Sequence, residues 1–168
     1  MIQKKITETM ELRETFKKKV LRDTVFLNYL SELKFALEAT GAERASSGVS
    51  SLCRQCGLSR TDCCGKGVEL RYSEWLLLIN LFLGVEIINK APINDSCYFL
   101  SEGGCILKAR HVFCVNFVCK KIKDSIPPER LKRLQELEGR ELELIFRLEE
   151  YLKLVAPVTV SVAQRRVN

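Results

Sequence analysis

The chain has 168 residues, 46% hydrophobic and 29% charged, with a formal net charge of +6. That length suits one domain of about 100–200 residues, and the balance excludes a disordered chain or one that needs metal to build a core at all. The charge is poor evidence for nucleic acid, because all eight cysteines are counted as neutral: as ligands they would remove eight charges, two divalent ions would return four, and about +2 would remain.

The N-terminus, Met1-Ile2-Gln3-Lys4-Lys5, runs into Thr7, Glu8, Glu11, Arg13 and Glu14. No apolar stretch of about 7–15 residues follows the lysines, so no signal peptide is visible and a cytoplasmic location is expected. Residues 1–50 read as an N-terminal helical segment. Leu12, Phe16, Val20 and Leu21 fall at helical spacing, and Val25, Phe26, Tyr29, Leu30, Leu33 and Leu37 form a second stripe. Asp23-Thr24 offers a cap, so one helix or two are both open. Gly41 is expected to end this segment, and Ala45-Ser46-Ser47-Gly48-Val49-Ser50-Ser51 to form a flexible loop leading to Cys53.

Past Cys63-Cys64, Gly65-Lys66-Gly67 is too short for a phosphate loop and fits a tight turn near ligands. Val68-Glu69-Leu70 reads as a short strand. Ser73 is a good N-cap for a helix from Glu74 to Leu83, closed by Gly84. The apolar run from Trp75 to Ile88 contains Asn80 and Glu86 and falls short of the about twenty residues of a membrane span; it reads as a buried helix, and no membrane partner is expected. Tyr98-Phe99-Leu100 and Cys105-Ile106-Leu107 suggest a hairpin across Ser101 to Gly104, and Val112 to Val118 reads as a strand or a short helix. Pro127-Pro128 opens a C-terminal amphipathic helix within residues 124–156, with Leu131, Leu134, Leu142, Ile145, Leu148, Leu152 and Val155 on its apolar face. That face should pack on the N-terminal helices. Self-association or a protein partner through it is the alternative, against which the stripe departs from strict heptads at Glu138 and Glu141. Residues 157–168 read as a tail.

All eight cysteines lie within the central segment 51–123: Cys53, Cys56, Cys63 and Cys64, then Cys97, Cys105, Cys114 and Cys119. In a reducing compartment such a set is better read as metal ligands than as disulfides. Zinc and iron–sulfur clusters are the centres that take several thiolates. Cys53 and Cys56 form the firmest pair, with Gly57 allowing the chain to turn back around an ion as in a zinc knuckle. Thioredoxin-type chemistry would need this CxxC after a strand, and none is apparent before Cys53. Adjacent side chains in extended backbone point apart, so Cys63 and Cys64 serve different ions, or one binds while the other packs, unless a locally helical or bulged backbone brings both to one centre. Eight sulfurs permit two sites. Tyr98, Phe99, Phe113 and Phe117 read as core or as a dry wall around the centre. Arg110 is expected to offset thiolate charge or donate to sulfur, and His111 is read as surface or as support behind the ligands, with a Cys₃His site as the alternative. The lysine runs 17–19 and 120–123 read as solvated surface, which disfavours nucleic acid as a partner.

Taken together, Cys53-Arg-Gln-Cys56-Gly57, Cys63-Cys64, Cys97-Tyr-Phe-Leu100, Cys105-Ile-Leu, Arg110, Cys114 and Phe117-Val-Cys119 resemble the YkgJ-type cysteine-cluster family, the CxxCxxCC zinc- or iron-chelating domain. The resemblance spans roughly Ser51 to Lys120. It departs from the family where His111 follows Arg110 and Val115 follows Cys114. It implies metal chelation by all eight cysteines, and some longer relatives are linked to flagellin lysine methylation.

The expected fold is therefore mainly α, with a small, irregular, cysteine-rich metal-binding centre flanked by N- and C-terminal helices. The expected function is chelation of zinc or iron, the latter as an ion or an iron–sulfur cluster, with a slight lean to zinc because the bacterial ferredoxin spacing is absent. Two alternatives stand beside it: an iron–sulfur-dependent enzyme or redox protein related to lysine N-methylases, and a metal-stabilised protein-interaction module. No catalytic residue is assigned, since neither a dinucleotide nor an S-adenosylmethionine glycine motif is present.

Overall fold

The computed structural model describes residues 1–59, 65, 67–87 and 96–156. It is mainly helical. Helix α1 spans Ile2–Val20, α2 Thr24–Ser46, α3 Val49–Ser59, α4 Glu74–Phe82, α5 Val112–Asn116, α6 Lys120–Ser125 and α7 Pro128–Val155. Strands β1 (Leu100–Ser101) and β2 (Gly104–Cys105) form an antiparallel hairpin with Leu100 opposite Cys105.

Helix α4 is the hub. Every residue from Trp75 to Leu81 is buried. A nine-residue helix apolar on all sides needs cover on all sides, and α1 and α7 pack against it while α2 lies along α7. Ser73 caps α4, its Oγ accepting from the Leu76 amide at 2.9 Å, and Gly84 ends it with φ +77°. The long N-terminal stretch resolves into two helices because Asp23 caps the second: Oδ1 accepts from the Val25 and Phe26 amides at 2.9 and 3.2 Å. Its other oxygen accepts from the Tyr151 hydroxyl at 2.6 Å, which ties this corner to the end of α7.

Three local expectations are corrected. Gly41 does not end α2, and Ala45–Ser51 is not a loop. Helix α2 continues because Thr40 and Glu43 are buried and the Arg130 guanidinium clamps its last turn, reaching Glu43 Oε1 at 2.7 Å and Ser46 Oγ at 2.6 Å. Only Ser47 and Gly48 separate α2 from α3; Gly48 has φ +89°, a conformation that glycine adopts without steric cost. Finally, Val68–Arg71 forms a 3-10 turn, not a strand, with the Glu69 carboxylate accepting from the Gly67 amide at 2.8 Å. Val112–Asn116 takes the helical option. The hairpin forms as expected, though shorter.

The apolar face of α7 packs on the N-terminal helices, chiefly α2, as expected. It is not wholly apolar: Glu138 and Glu141 are 5% and 1% exposed. Glu138 accepts from Arg44 of α2, Nε lying 3.0 Å from Oε1. Among the described residues no helix is long and apolar enough to cross a membrane. The 157–168 tail lies outside the described residues.

Candidate metal centre

A second, smaller apolar cluster of Val49, Ile122, Ile126 and Leu134 joins α3, α6 and α7 beside the main core. It sets α3 against the β-hairpin and α6. Cys53 and Cys56 therefore sit in a helix, not in a knuckle that turns back at Gly57, which is itself inside α3. Burial of Val49 and Leu52 against α6 and α7 favours helix over the Ser/Gly-rich composition. The pair stays usable, because residues three apart share a helix face.

The second group arrives by four different routes. Cys97 precedes the hairpin and is 6% exposed; Cys105 ends β2; Cys114 lies in α5; Cys119 is the N-cap residue of α6. The approach to α5 is held by Asn80, fully buried in α4. Its amide nitrogen donates to the carbonyls of Leu76 and Ala109 at 2.9 and 2.8 Å, and its oxygen accepts from the Lys108 and Ala109 amides at 2.9 and 3.0 Å. An apolar side chain there would strand three backbone groups of residues 108–109, at about 1–3 kcal/mol for each buried one.

These elements bring all six described cysteines onto the wall of one cavity of about 250 Å³. Arg110 and Lys121 share that wall, as do Phe113 and Phe117, which are otherwise exposed. Tyr98 and Phe99 are buried core. Cys63 and Cys64 lie outside the described residues. Among the described residues, no three Cys, His, Asp or Glu side chains converge tightly enough to hold a single ion.

The sulfurs have specific neighbours. The backbone amides of Phe99 and Glu69 donate towards Cys97, and that of Leu107 towards Cys105. In both hairpin-flanking cases the donor lies two residues after the cysteine. Lys121 Nζ donates to Cys56 Sγ at 3.4 Å, and the Tyr72 hydroxyl to Cys114 Sγ at 3.7 Å. The same tyrosine oxygen accepts from the His111 amide at 3.1 Å. His111 itself caps α5, Nδ1 accepting from the Phe113 amide at 3.2 Å. Burial pushes the Cys97 thiol up to about 11 and raises Cys114 as well. Cys105 is also raised, chiefly by burial, although it opens onto cavity space. Each of these shifts favours the neutral thiol, and a metal ion would have to displace the proton.

Sequence reasoning missed Tyr72 and Lys121. Lys121 stands in a run that reads as surface, and nothing in the chain order signals that α6 turns it towards α3. Compared with family models, with curated proteins and with solved structures, the chain matches none.

Proposed function

We propose that this protein binds zinc or iron through its clustered cysteines, in a compartment that keeps thiols reduced. One observation carries the reading: six cysteines from two stretches of chain, Cys53–Cys56 and Cys97–Cys119, line a single cavity with two cationic side chains beside them. Chance placement of structural cysteines would scatter them through the core, and of the described cysteines only Cys97 and Cys114 touch the main core. The donor set suits soft metals. Amide donors at Cys97 and Cys105 oppose the larger upward push of burial on those thiols, and Lys121 Nζ donates to Cys56 Sγ, so donors already face sulfurs that would become thiolates on metal binding. The likeness to the YkgJ-type cysteine clusters belongs to the same proposal, with Cys63 and Cys64 completing the set.

Six described cysteines around one cavity of about 250 Å³ exceed the four ligands of a single zinc ion, which favours a polynuclear centre. A cluster holds its thiolates farther apart than a single ion does. Two zinc ions and an iron–sulfur cluster both fit that polynuclear description.

The test is elemental analysis of anaerobically purified protein, with zinc, iron and acid-labile sulfide measured per chain. Bound metal is expected, at reduced occupancy in Cys53→Ser and Cys97→Ser. Sulfide equimolar with iron would identify a cluster. Metal-free protein that takes up neither metal on reconstitution would end the proposal.

A further inference from the structure

A larger cavity, about 590 Å³, adjoins the cysteine-lined one and shares Cys53, Cys105 and Arg110 with it. Its volume lies in the range of about 300–1,000 Å³ typical of small-molecule sites. Four cationic side chains line it, Lys34, Arg44, Lys108 and Arg110, against two carboxyl groups, Glu38 and Glu141.

The charges do not cancel within the wall. Arg44 is taken by Glu138. Glu141 is 1% exposed, and burial raises its pKa towards the neutral form. Lys34, Lys108 and Arg110 still outnumber the two carboxyl groups of the wall, Glu38 and Glu141, and Lys108 Nζ also donates to the Leu83 carbonyl at 2.8 Å. Arg110 Nη2 is buried and, among the described residues, has no hydrogen-bond partner; Glu141 Oε1 is in the same position. An unused buried guanidinium N–H is costly to leave so, and a forked cation is the usual partner of carboxylate and phosphate.

From this we infer that the larger cavity binds a small carboxylate- or phosphate-bearing molecule, with Arg110 as its principal contact and Lys34 and Lys108 supplying charge. Asn80 fixes the backbone just before Arg110, so the guanidinium is presented from a rigid base. The site lies next to Cys53 and Cys105, which would set such a ligand beside the proposed metal centre. The inference does not depend on that centre: the excess charge and the unpartnered groups are properties of the protein alone.

The experiment is titration of the full chain with inorganic phosphate and with succinate, at ionic strength held constant with chloride, followed by amide chemical shifts. Saturable shifts over residues 104–110 are expected for at least one probe, and the two arms separate phosphate from carboxylate recognition. Arg110→Gln should weaken binding about tenfold or more. The Lys34→Gln/Lys108→Gln pair, at exposed positions and with only the Lys108 bond to the Leu83 carbonyl lost, should weaken it too. Lys18→Gln, on the exposed side of α1, should not. Cys119→Ser should leave anion affinity intact even where it lowers metal content, which separates this inference from the metal reading. No saturable response to either probe, or an unchanged affinity in Arg110→Gln and in the lysine pair, would overturn it.

Discussion

Arg44 stands between two buried carboxyl groups, Glu138 and Glu141, and one guanidinium neutralises only one of them. Burial, reinforced by the neighbouring Glu141 and opposed by Arg44, pushes Glu138 from 4.5 to about 7. Between those values the folded state keeps a proton that the unfolded chain has released. Its stability therefore falls as pH rises through that window and levels off above it. Glu138→Gln, which cannot ionise, should flatten the decline by on the order of 2 kcal/mol between pH 5 and pH 7.5. Urea midpoints of both proteins across that range check this, and parallel profiles would refute the assignment. The two glutamates are visible in the sequence as interruptions of an apolar stripe. Their partner is not, because Arg44 lies 94 residues away and only the packing of α2 on α7 brings it near.

At the scale of elements, α7 shows where local preference and tertiary demand differ. Gly139 lies in the helix interior, is exposed, and a Cβ built there meets nothing within 4 Å. Gly139→Ala should stabilise the protein by about 1 kcal/mol, a melting-temperature gain of about 2–4 °C by calorimetry. No gain would mean that the glycine serves a contact beyond the isolated chain. Helices α4 and α7 were legible because apolar periodicity, a serine cap and the Pro-Pro start agree with their environment. Helix α3 was not. Serines and a glycine argue for a loop at 45–51, but Val49 and Leu52 gain more by burial against Ile122, Ile126 and Leu134 than the loop would offer. The 3-10 turn at Val68–Arg71 was missed for a similar reason, since a three-residue apolar-polar-apolar pattern fits a strand equally well.

For the whole molecule, the main core is built by α1, α2, α4 and α7 around buried side chains such as Phe16, Phe26, Leu77 and Leu148, and four of the six described cysteines stand outside it. If the protein binds metal as proposed, removing it with a chelator should therefore leave most of the far-ultraviolet helical signal in place. Amide protection should fall over residues 97–119, where the chain is short on regular structure. A cooperative loss of helix on chelation, as in a zinc finger, would show that the metal holds the entire fold.

The sequence by itself determined the helical class, the central buried helix, the hairpin and the concentration of thiols in one segment. These follow from periodicity, caps and spacing, which act over a few residues. Tertiary structure alone decided that Cys53 and Cys56 ride on a helix, that Lys121 and Tyr72 reach sulfur, and that a cationic cavity opens beside the cysteines. Each of those depends on residues far apart in the chain being pressed together as α4 is covered on every side, and local preference carries no record of such a meeting.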